Sequence, residues 1–104
     1  MILEVADIRI RGGEQQAFDE AIQRGLRTVI ANAKGYRGHK VVKCIESPER
    51  YLLLIRWETL ENHTVDFRHS PAFTEWRSIV GPMFALPPVV EHFQVLAETE
   101  AWLA

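Results

Sequence analysis

The residues best suited to chemistry lie in one stretch of the chain, which reads WETLENHTVDFRHSPAFTEW from Trp57 to Trp76. It holds two histidines and four large aromatic side chains. His63 follows Leu60 by three positions and precedes Phe67 by four, so in a helix all three lie on one stripe. An imidazole there can accept or donate a proton near neutral pH. The spacing makes His63 the candidate catalytic residue, and a buried structural histidine is the alternative.

Three aromatic side chains close to His63 are candidates for binding a flat substrate. Phe67 shares the stripe of His63, while Phe73 and Trp76 lie together with Val80 on the stripe of a following helix. Such a group can line a ligand pocket or fill an ordinary core, and the spacing allows both. We predict Phe67, Phe73 and Trp76 as substrate-binding residues.

A further histidine, His92, lies on the last predicted strand, on the face opposite Phe93. One face of this strand points to the helices and the other points away, and the alternation does not tell which is which. If His92 points to the helices, it can reach the same pocket as His63. We therefore include His92 among the predicted substrate-binding residues.

Other polar residues of this region are expected at the surface. His69 falls two positions after Phe67 and so turns away from the stripe, and Arg68 is expected to cap the helix or pair with a carboxylate. No two histidines stand with a carboxylate at metal-binding spacing on one helix face, and Cys44 is the only cysteine. The sequence therefore predicts no metal site.

Composition limits the class of protein. The 104 residues, of 12.0 kDa, are enough for one domain spanning 1–104. A formal net charge of −2, with scattered basic residues, does not favour binding to nucleic acid or to an anionic membrane. The charged start is unlike a signal peptide, and no apolar run approaches the roughly 20 residues of a membrane helix. We expect a cytoplasmic protein.

The candidate residues must be positioned by a small set of helices and strands. The periodicity predicts a strand over 1–11, a helix over 14–33, strands over 41–45 and 51–57, two short helices meeting near 69–71, and a strand over 89–97. Thr59 and Ser70 suit N-cap positions, and Pro71 suits the first position of a helix. The order β-α-β-β-α-β predicts an α+β, ferredoxin-like fold with an antiparallel sheet and both helices on one face.

The predicted sheet is apolar on both faces. In the strand over 51–57 the odd-numbered positions are apolar, but so are Leu52 and Leu54, and the strand over 89–97 repeats this pattern. Two helices can cover only one face, and a second copy of the chain is the simplest cover for the other. We expect a homodimer formed through the sheet faces, with Trp102 and Leu103 contacting the partner.

Motifs along almost the whole chain resemble the antibiotic biosynthesis monooxygenase family. They are GYRG at 35–38, ESP at 46–48, the strand over 51–57, and the segments WETLENHT, FRHSPAFTEW and PPVVEHF. The resemblance implies a dimeric α+β barrel, a pocket between the helices and the sheet of each subunit, and oxidation of a small aromatic, phenolic or quinone-like metabolite without metal or flavin. It therefore implies a cofactor-independent monooxygenase with an aromatic ligand.

Two other functions stay open. The first is a non-catalytic dimeric module that binds a small molecule, because the fold serves several functions. The second is haem binding, but Trp76 stands where haem-degrading members carry an axial histidine, and Ala6-Asp7 stands where they use an asparagine. In the polyketide-oxidising branch an asparagine and a tryptophan occupy the region of His63 and Phe67, so the substrate stays open as well.

Overall fold

The computed structural model describes residues 1–99. The helices α1 and α2 are Gln15–Thr28 and Pro71–Val80, and short 3₁₀-helices cover Ile30–Asn32 and Gly81–Met83. A π-helix covers Asn62–Phe67. The strands β1, β2, β3 and β4 are Ile2–Arg9, Tyr36–Lys43, Arg50–Trp57 and Val89–Gln94. This order confirms the predicted β-α-β-β-α-β, ferredoxin-like arrangement.

The four strands form one antiparallel sheet in the order β2-β3-β1-β4. In the register, Val5 of β1 lies opposite Leu54 of β3 on one side and Glu91 of β4 on the other. The sheet does not close on itself within residues 1–99, so β2 and β4 are its edges.

Some boundaries differ from the predicted ones. α1 ends at Thr28 rather than near 33, because three β-branched residues in succession (Thr28, Val29 and Ile30) disfavour further α-helix, and the chain continues as a 3₁₀ turn. β2 begins at Tyr36, five positions earlier than predicted. A register shift between Tyr36 and His39 interrupts the alternation there and hides the start of the strand. β4 ends at Gln94 rather than near 97.

The core lies between the helices and one face of the sheet. Its fully buried side chains alternate along the strands and follow one stripe of α1, and the largest of them are Trp57, Tyr51, Phe18, Ile8, Ile22, Leu26, Ile30, Leu53, Ile55 and Val80. None of the helices described within residues 1–99 is long and apolar enough to cross a membrane.

The chain from Thr59 to Pro71 carries His63 and Phe67 and is held by its own polar contacts. Thr59 Oγ1 accepts from the Asn62 N–H at 3.2 Å, and Asn62 Oδ1 accepts from the Thr59 N–H at 3.0 Å, so the two residues cap the segment reciprocally. The Ser70 hydroxyl donates to the Phe67 carbonyl instead of capping α2 as predicted. Pro71 opens α2, as predicted.

The sheet face opposite the helices, which we call the outer face, is apolar at its centre. Leu52 and Leu54 on β3 are partly exposed, and the edge strands add exposed Val42, Val89 and Phe93. Both faces of the sheet are therefore apolar, as the sequence indicated. The expected partner contacts of Trp102 and Leu103 lie outside the described residues.

Candidate active site

A cavity of about 360 Å³ lies between the sheet and the helical segments. This volume falls within the range of small-molecule sites. Exposed Arg68, Arg77 and Pro87 lie on its lining, so the cavity reaches the surface there. The complete lining is Glu4, Ala6, Ile8, Ile30, Leu53, Ile55, His63, Phe67, Arg68, Phe73, Trp76, Arg77, Phe84, Pro87, Pro88 and Val90.

A buried carboxyl group on β1 is the most unusual feature of this lining. Glu4 is only 5% exposed, and its Oε1 accepts a hydrogen bond from Trp57 Nε1 at 2.9 Å. The same oxygen lies 3.3 Å from His63 Nε2. Burial raises the pKa of Glu4 to about 7, although the Trp57 hydrogen bond and the positive charge of Arg68 oppose that shift. Glu4 can therefore take up or release a proton near neutral pH.

His63 connects this carboxyl group to a second imidazole. Its Nδ1 lies 2.8 Å from Nε2 of His92, within hydrogen-bond distance. The pKa of His63 is lowered to about 4, first by burial and then by the positive charge of Arg68 and the proximity of His92. The pKa of His92 is also lowered, first by burial and then by Arg68. Both rings are therefore neutral at neutral pH.

The spacing of Glu4, His63 and His92 would allow a proton to pass from one to the next. When Glu4 is protonated, it can donate to His63 Nε2, and His63 Nδ1–H then donates to His92. When Glu4 is ionised, His92 can donate to His63 Nδ1 instead, so each imidazole changes tautomer and His63 Nε2–H faces Glu4 Oε1. His92 is partly exposed on an edge strand, so this path leads from the buried carboxyl group toward solvent.

Of the two path residues that line the cavity, Glu4 and His63, only Glu4 has a polar side-chain atom without a partner among residues 1–99. Both ring nitrogens of His63 face partners within the chain. Glu4 Oε2 makes no hydrogen bond among residues 1–99, where every fully buried side-chain nitrogen or oxygen has a partner. Oε2 is therefore not sealed off, and because Glu4 lines the cavity, this oxygen is the group a bound molecule can reach.

Aromatic rings form the wall next to this path. The rings of Trp57 and His63 are stacked, with centroids 5.3 Å apart and an interplanar angle of 18°. Phe67 packs edge-on against Phe73 at 5.7 Å. Trp76 lies against α1 at Gly25, where an added Cβ would stand 2.8 Å from the indole ring. A flat aromatic molecule in the cavity would thus have rings beside it.

The predicted site residues do come together. His63, Phe67, Phe73 and Trp76 all line the cavity. His92 points to the helix side of the sheet and contacts His63 without lining the cavity itself.

Two residues of the site were not predicted. Glu4 falls between Ile2 and Ala6 on the inward side of β1. A charged residue in this apolar row is the sequence signal that could have indicated its place in the site. Arg68 was expected at the surface away from the site, but it lies on the cavity lining. The cause is the π-helix, in which the Arg68 N–H donates to the His63 carbonyl at 3.1 Å, across five residues.

Comparisons with known sequences cover most of this chain. The sequence model of the family described as antibiotic biosynthesis monooxygenase matches residues 1–78. The uncharacterized protein YczJ of Bacillus subtilis strain 168 is 40% identical over 94 residues, covering 90% of this chain and 98% of that protein. The family match includes Glu4, His63, Arg68 and Trp76 but ends before His92.

Solved structures share the fold. A proposed antibiotic biosynthesis monooxygenase from Bordetella bronchiseptica is 40% identical, with a TM-score of 0.87, covering 92% of this chain and 97% of that one. SnoaB, a cofactor-independent oxygenase from Streptomyces nogalater, has a TM-score of 0.80 at 12% identity, and the match covers 95% of this chain and 96% of the SnoaB chain. At that identity the likeness to SnoaB concerns the fold alone.

Proposed function

Because this chain belongs to the antibiotic biosynthesis monooxygenase family, we propose that it is a cofactor-independent monooxygenase of a small aromatic, phenolic or quinone-like metabolite. The observation that carries this proposal is the path from Glu4 through His63 to His92 beside an aromatic cavity. SnoaB, named as a cofactor-independent oxygenase, has the same fold.

The proposed chemistry begins with a proton transfer. Glu4 Oε2 removes a proton from an acidic C–H or O–H of the substrate, and a pKa of about 7 suits it to this task near neutral pH. The resulting electron-rich anion reduces O₂ directly. For an anthrone-like methylene group, the carbon becomes a carbonyl, one oxygen atom is retained, and the other leaves as water with the two hydrogens of the methylene group.

His63 has two tasks in this proposal. Its ring lines the cavity beside the substrate, and its two nitrogens connect Glu4 to His92. The proton taken up at Oε2 reaches His63 once the carboxyl group has turned, because His63 Nε2 lies beside Oε1, and it can then be passed outward before the next turnover. Phe67, Phe73 and Trp76 would hold the substrate ring and exclude water, which protects the anion until it meets oxygen.

Oxygen uptake with a panel of anthrones and hydroquinones tests this function. Wild-type turnover is expected to rise with pH through about 7, as Glu4 ionises. Glu4→Gln removes the base, and His63→Leu keeps bulk but breaks the path, so each should lower turnover by roughly 10²-fold or more. The control is His69→Leu, which changes an exposed histidine on the same segment and should leave turnover unchanged.

Two results would contradict the proposal. One is ligand binding in the cavity without oxygen uptake by any substrate, which would favour the non-catalytic binding module. The other is full activity in Glu4→Gln with an unchanged pH profile.

We also propose that two chains pair through the outer face. Leu52 and Leu54 at its centre are only partly covered in a single chain, and Val42, Val89 and Phe93 are exposed on the edge strands. Several apolar side chains left uncovered on one sheet face typically mark a protein interface.

A further inference from the structure

We propose that the cavity selects aromatic substrates that carry a carboxylate group, and that Arg68 is the residue that binds this carboxylate. The inference rests on the proposed function only in treating the cavity as the substrate site. Three observations carry it: the position of Arg68, the charges on the cavity lining, and the contacts of the second arginine there.

The π-helix places Arg68 at the cavity. In an α-helix, the residue after Phe67 would turn away from the stripe that His63 and Phe67 share. Here the Arg68 N–H donates to the His63 carbonyl at 3.1 Å, so one turn spans five residues and Arg68 follows His63 on the same side. Arg68 therefore lines the cavity although its side chain is exposed at the mouth.

The guanidinium group of Arg68 is not bound to another side chain among the described residues. Within residues 1–99 it makes no side-chain hydrogen bond and no ion pair. The neighbouring carboxylate of Asp66 is used elsewhere, because it accepts from Asn62 Nδ2 at 3.1 Å and lies 3.8 Å from Lys34 Nζ. The fork of N–H donors on Arg68 is thus available to a ligand.

The charges on the lining favour an anion. The charged side chains there are Glu4, Arg68 and Arg77, and His63 is neutral at neutral pH. The lining therefore carries an excess of one positive charge when Glu4 is ionised and of two when it is protonated. A partly enclosed site strengthens the attraction between this excess and a negatively charged guest.

Of the two arginines, Arg68 is the better placed to bind a carboxylate. The Arg77 guanidinium lies over the ring of Phe73, 5.9 Å from its centroid, so it already has a partner. The positive charge of Arg68 lowers the pKa of Glu4, His63 and His92, which shows that its field reaches the whole proton path. A guanidinium group can bind a carboxylate through two parallel hydrogen bonds, which gives direction as well as attraction.

Binding of a matched ligand pair tests the proposal. The dissociation constants of 2-naphthoate and its neutral analogue 2-naphthamide are measured by isothermal titration calorimetry at pH 7.5 and fixed ionic strength. The wild type is expected to bind the carboxylate about tenfold or more tightly than the amide, because a charge-assisted pair is stronger than a neutral one. Arg68→Gln should abolish this preference and leave the affinity for the amide unchanged.

Three further variants complete the experiment. Arg24→Gln, on the exposed side of α1, removes one positive charge away from the cavity and should keep the preference. Arg77→Gln removes one at the cavity mouth and should reduce the preference less than Arg68→Gln does. Arg68→Lys keeps the positive charge but lacks the paired N–H donors of the guanidinium group, so it should keep part of the preference for the carboxylate. If Arg68→Gln does not fold by circular dichroism, Arg68→Lys decides the question through a reduced preference.

The proposal fails if the wild type binds both ligands with equal affinity or binds neither. It also fails if the preference for the carboxylate survives Arg68→Gln, or if Arg24→Gln abolishes it equally. The oxygen-uptake assay separates this failure from failure of the proposed function. Arg68-dependent carboxylate binding without oxygen uptake by any substrate leaves the inference standing and removes the monooxygenase. If neutral substrates are turned over and Arg68→Gln has no effect on binding or turnover, the monooxygenase stands and the inference about Arg68 fails.

Discussion

At the scale of single residues, the site depends on a carboxyl group that the fold keeps out of water. Glu4 occupies an inward position of β1 whose neighbours on that side, Ala6 and Ile8, belong to the core. Its partners are the Trp57 indole N–H and His63, and burial makes ionisation costly. Glu4 is therefore expected to reduce the stability of the protein near neutral pH, where it would act as the proposed base.

The first prediction concerns Glu4→Gln and the pH dependence of stability. The folded-state pKa of Glu4 is raised to about 7 from an ordinary 4.5, so its contribution is fully present below about pH 4.5 and is lost as pH rises through about 7. Glutamine does not titrate. The free energy of unfolding of the wild type should thus fall relative to Glu4→Gln by roughly 3 kcal/mol between pH 4.5 and 7.5.

Urea unfolding of both proteins across this pH range measures the difference. The lowered pKa of His63 also makes stability depend on pH, since that contribution is lost as pH falls from 6.5 toward about 4. It is present in both proteins, so it largely cancels in the difference. Parallel stability curves for wild type and Glu4→Gln would show that the carboxyl group is not buried as described.

The two residues missed by sequence analysis were missed for different physical reasons. The position of Glu4 could have been read from the alternation of β1, because an acidic residue stands in a row of apolar ones. The position of Arg68 could not, because it follows from a hydrogen bond across five residues and not from the helical period assumed for the segment.

At the scale of helices and strands, the order of elements could be predicted where the periodicity was strong. Several element boundaries could not. β3 differs from its prediction by one residue, because an apolar run between a turn and a helix N-cap marks both of its ends. The start of β2 and the end of α1 were displaced by a register shift and by successive β-branched residues, which a simple period does not describe. The cavity itself follows from how α2 packs on α1 and the sheet, which no local pattern fixes.

The second prediction concerns the contact between α1 and α2 at Gly25. This glycine lets the Trp76 ring lie directly on α1, since an added Cβ would stand 2.8 Å from one ring carbon and 2.9 Å from another. Alanine favours a helix by about 1 kcal/mol over glycine, but overpacking of a buried site typically costs about 1–3 kcal/mol. We expect Gly25→Ala to destabilise the protein and to push Trp76 into the cavity.

Thermal unfolding and binding of 2-naphthamide measure the two effects. The melting temperature should fall, and the affinity for the ligand should fall with it because the cavity becomes smaller. Gln16→Ala, at an exposed position of the same helix, is the control and should change neither. A more stable Gly25→Ala protein with unchanged binding would show that α2 can move away from α1 freely.

At the scale of the whole molecule, the third prediction concerns assembly through the outer face. Size-exclusion chromatography with light scattering should give a mass of about twice the 12.0 kDa of one chain at micromolar concentration. Leu54→Arg places a charge at the centre of the outer face and should yield monomer or insoluble protein. Val65→Arg makes the same kind of change at an exposed position on the helix side and should leave the dimer intact.

A monomeric wild type, or a Leu54→Arg protein that keeps the wild-type mass, would contradict the dimer. The apolar character of the outer face was predictable from the sequence, because Leu52 and Leu54 interrupt the polar positions of β3. The partner that covers the outer face could not be predicted, because the sequence of one chain does not show which surface packs against that face.

The position of His92 separates the proposed route of protons from the route by which a ligand enters the cavity. His92 contacts His63 from the edge strand β4 and does not line the cavity, whereas Arg68, Arg77 and Pro87 mark the mouth through which a ligand enters. In the proposed mechanism, substrate and protons would therefore use separate routes. A flat ligand in the mouth would leave the route through His92 open, so Glu4 would exchange its proton with bulk water before the product leaves.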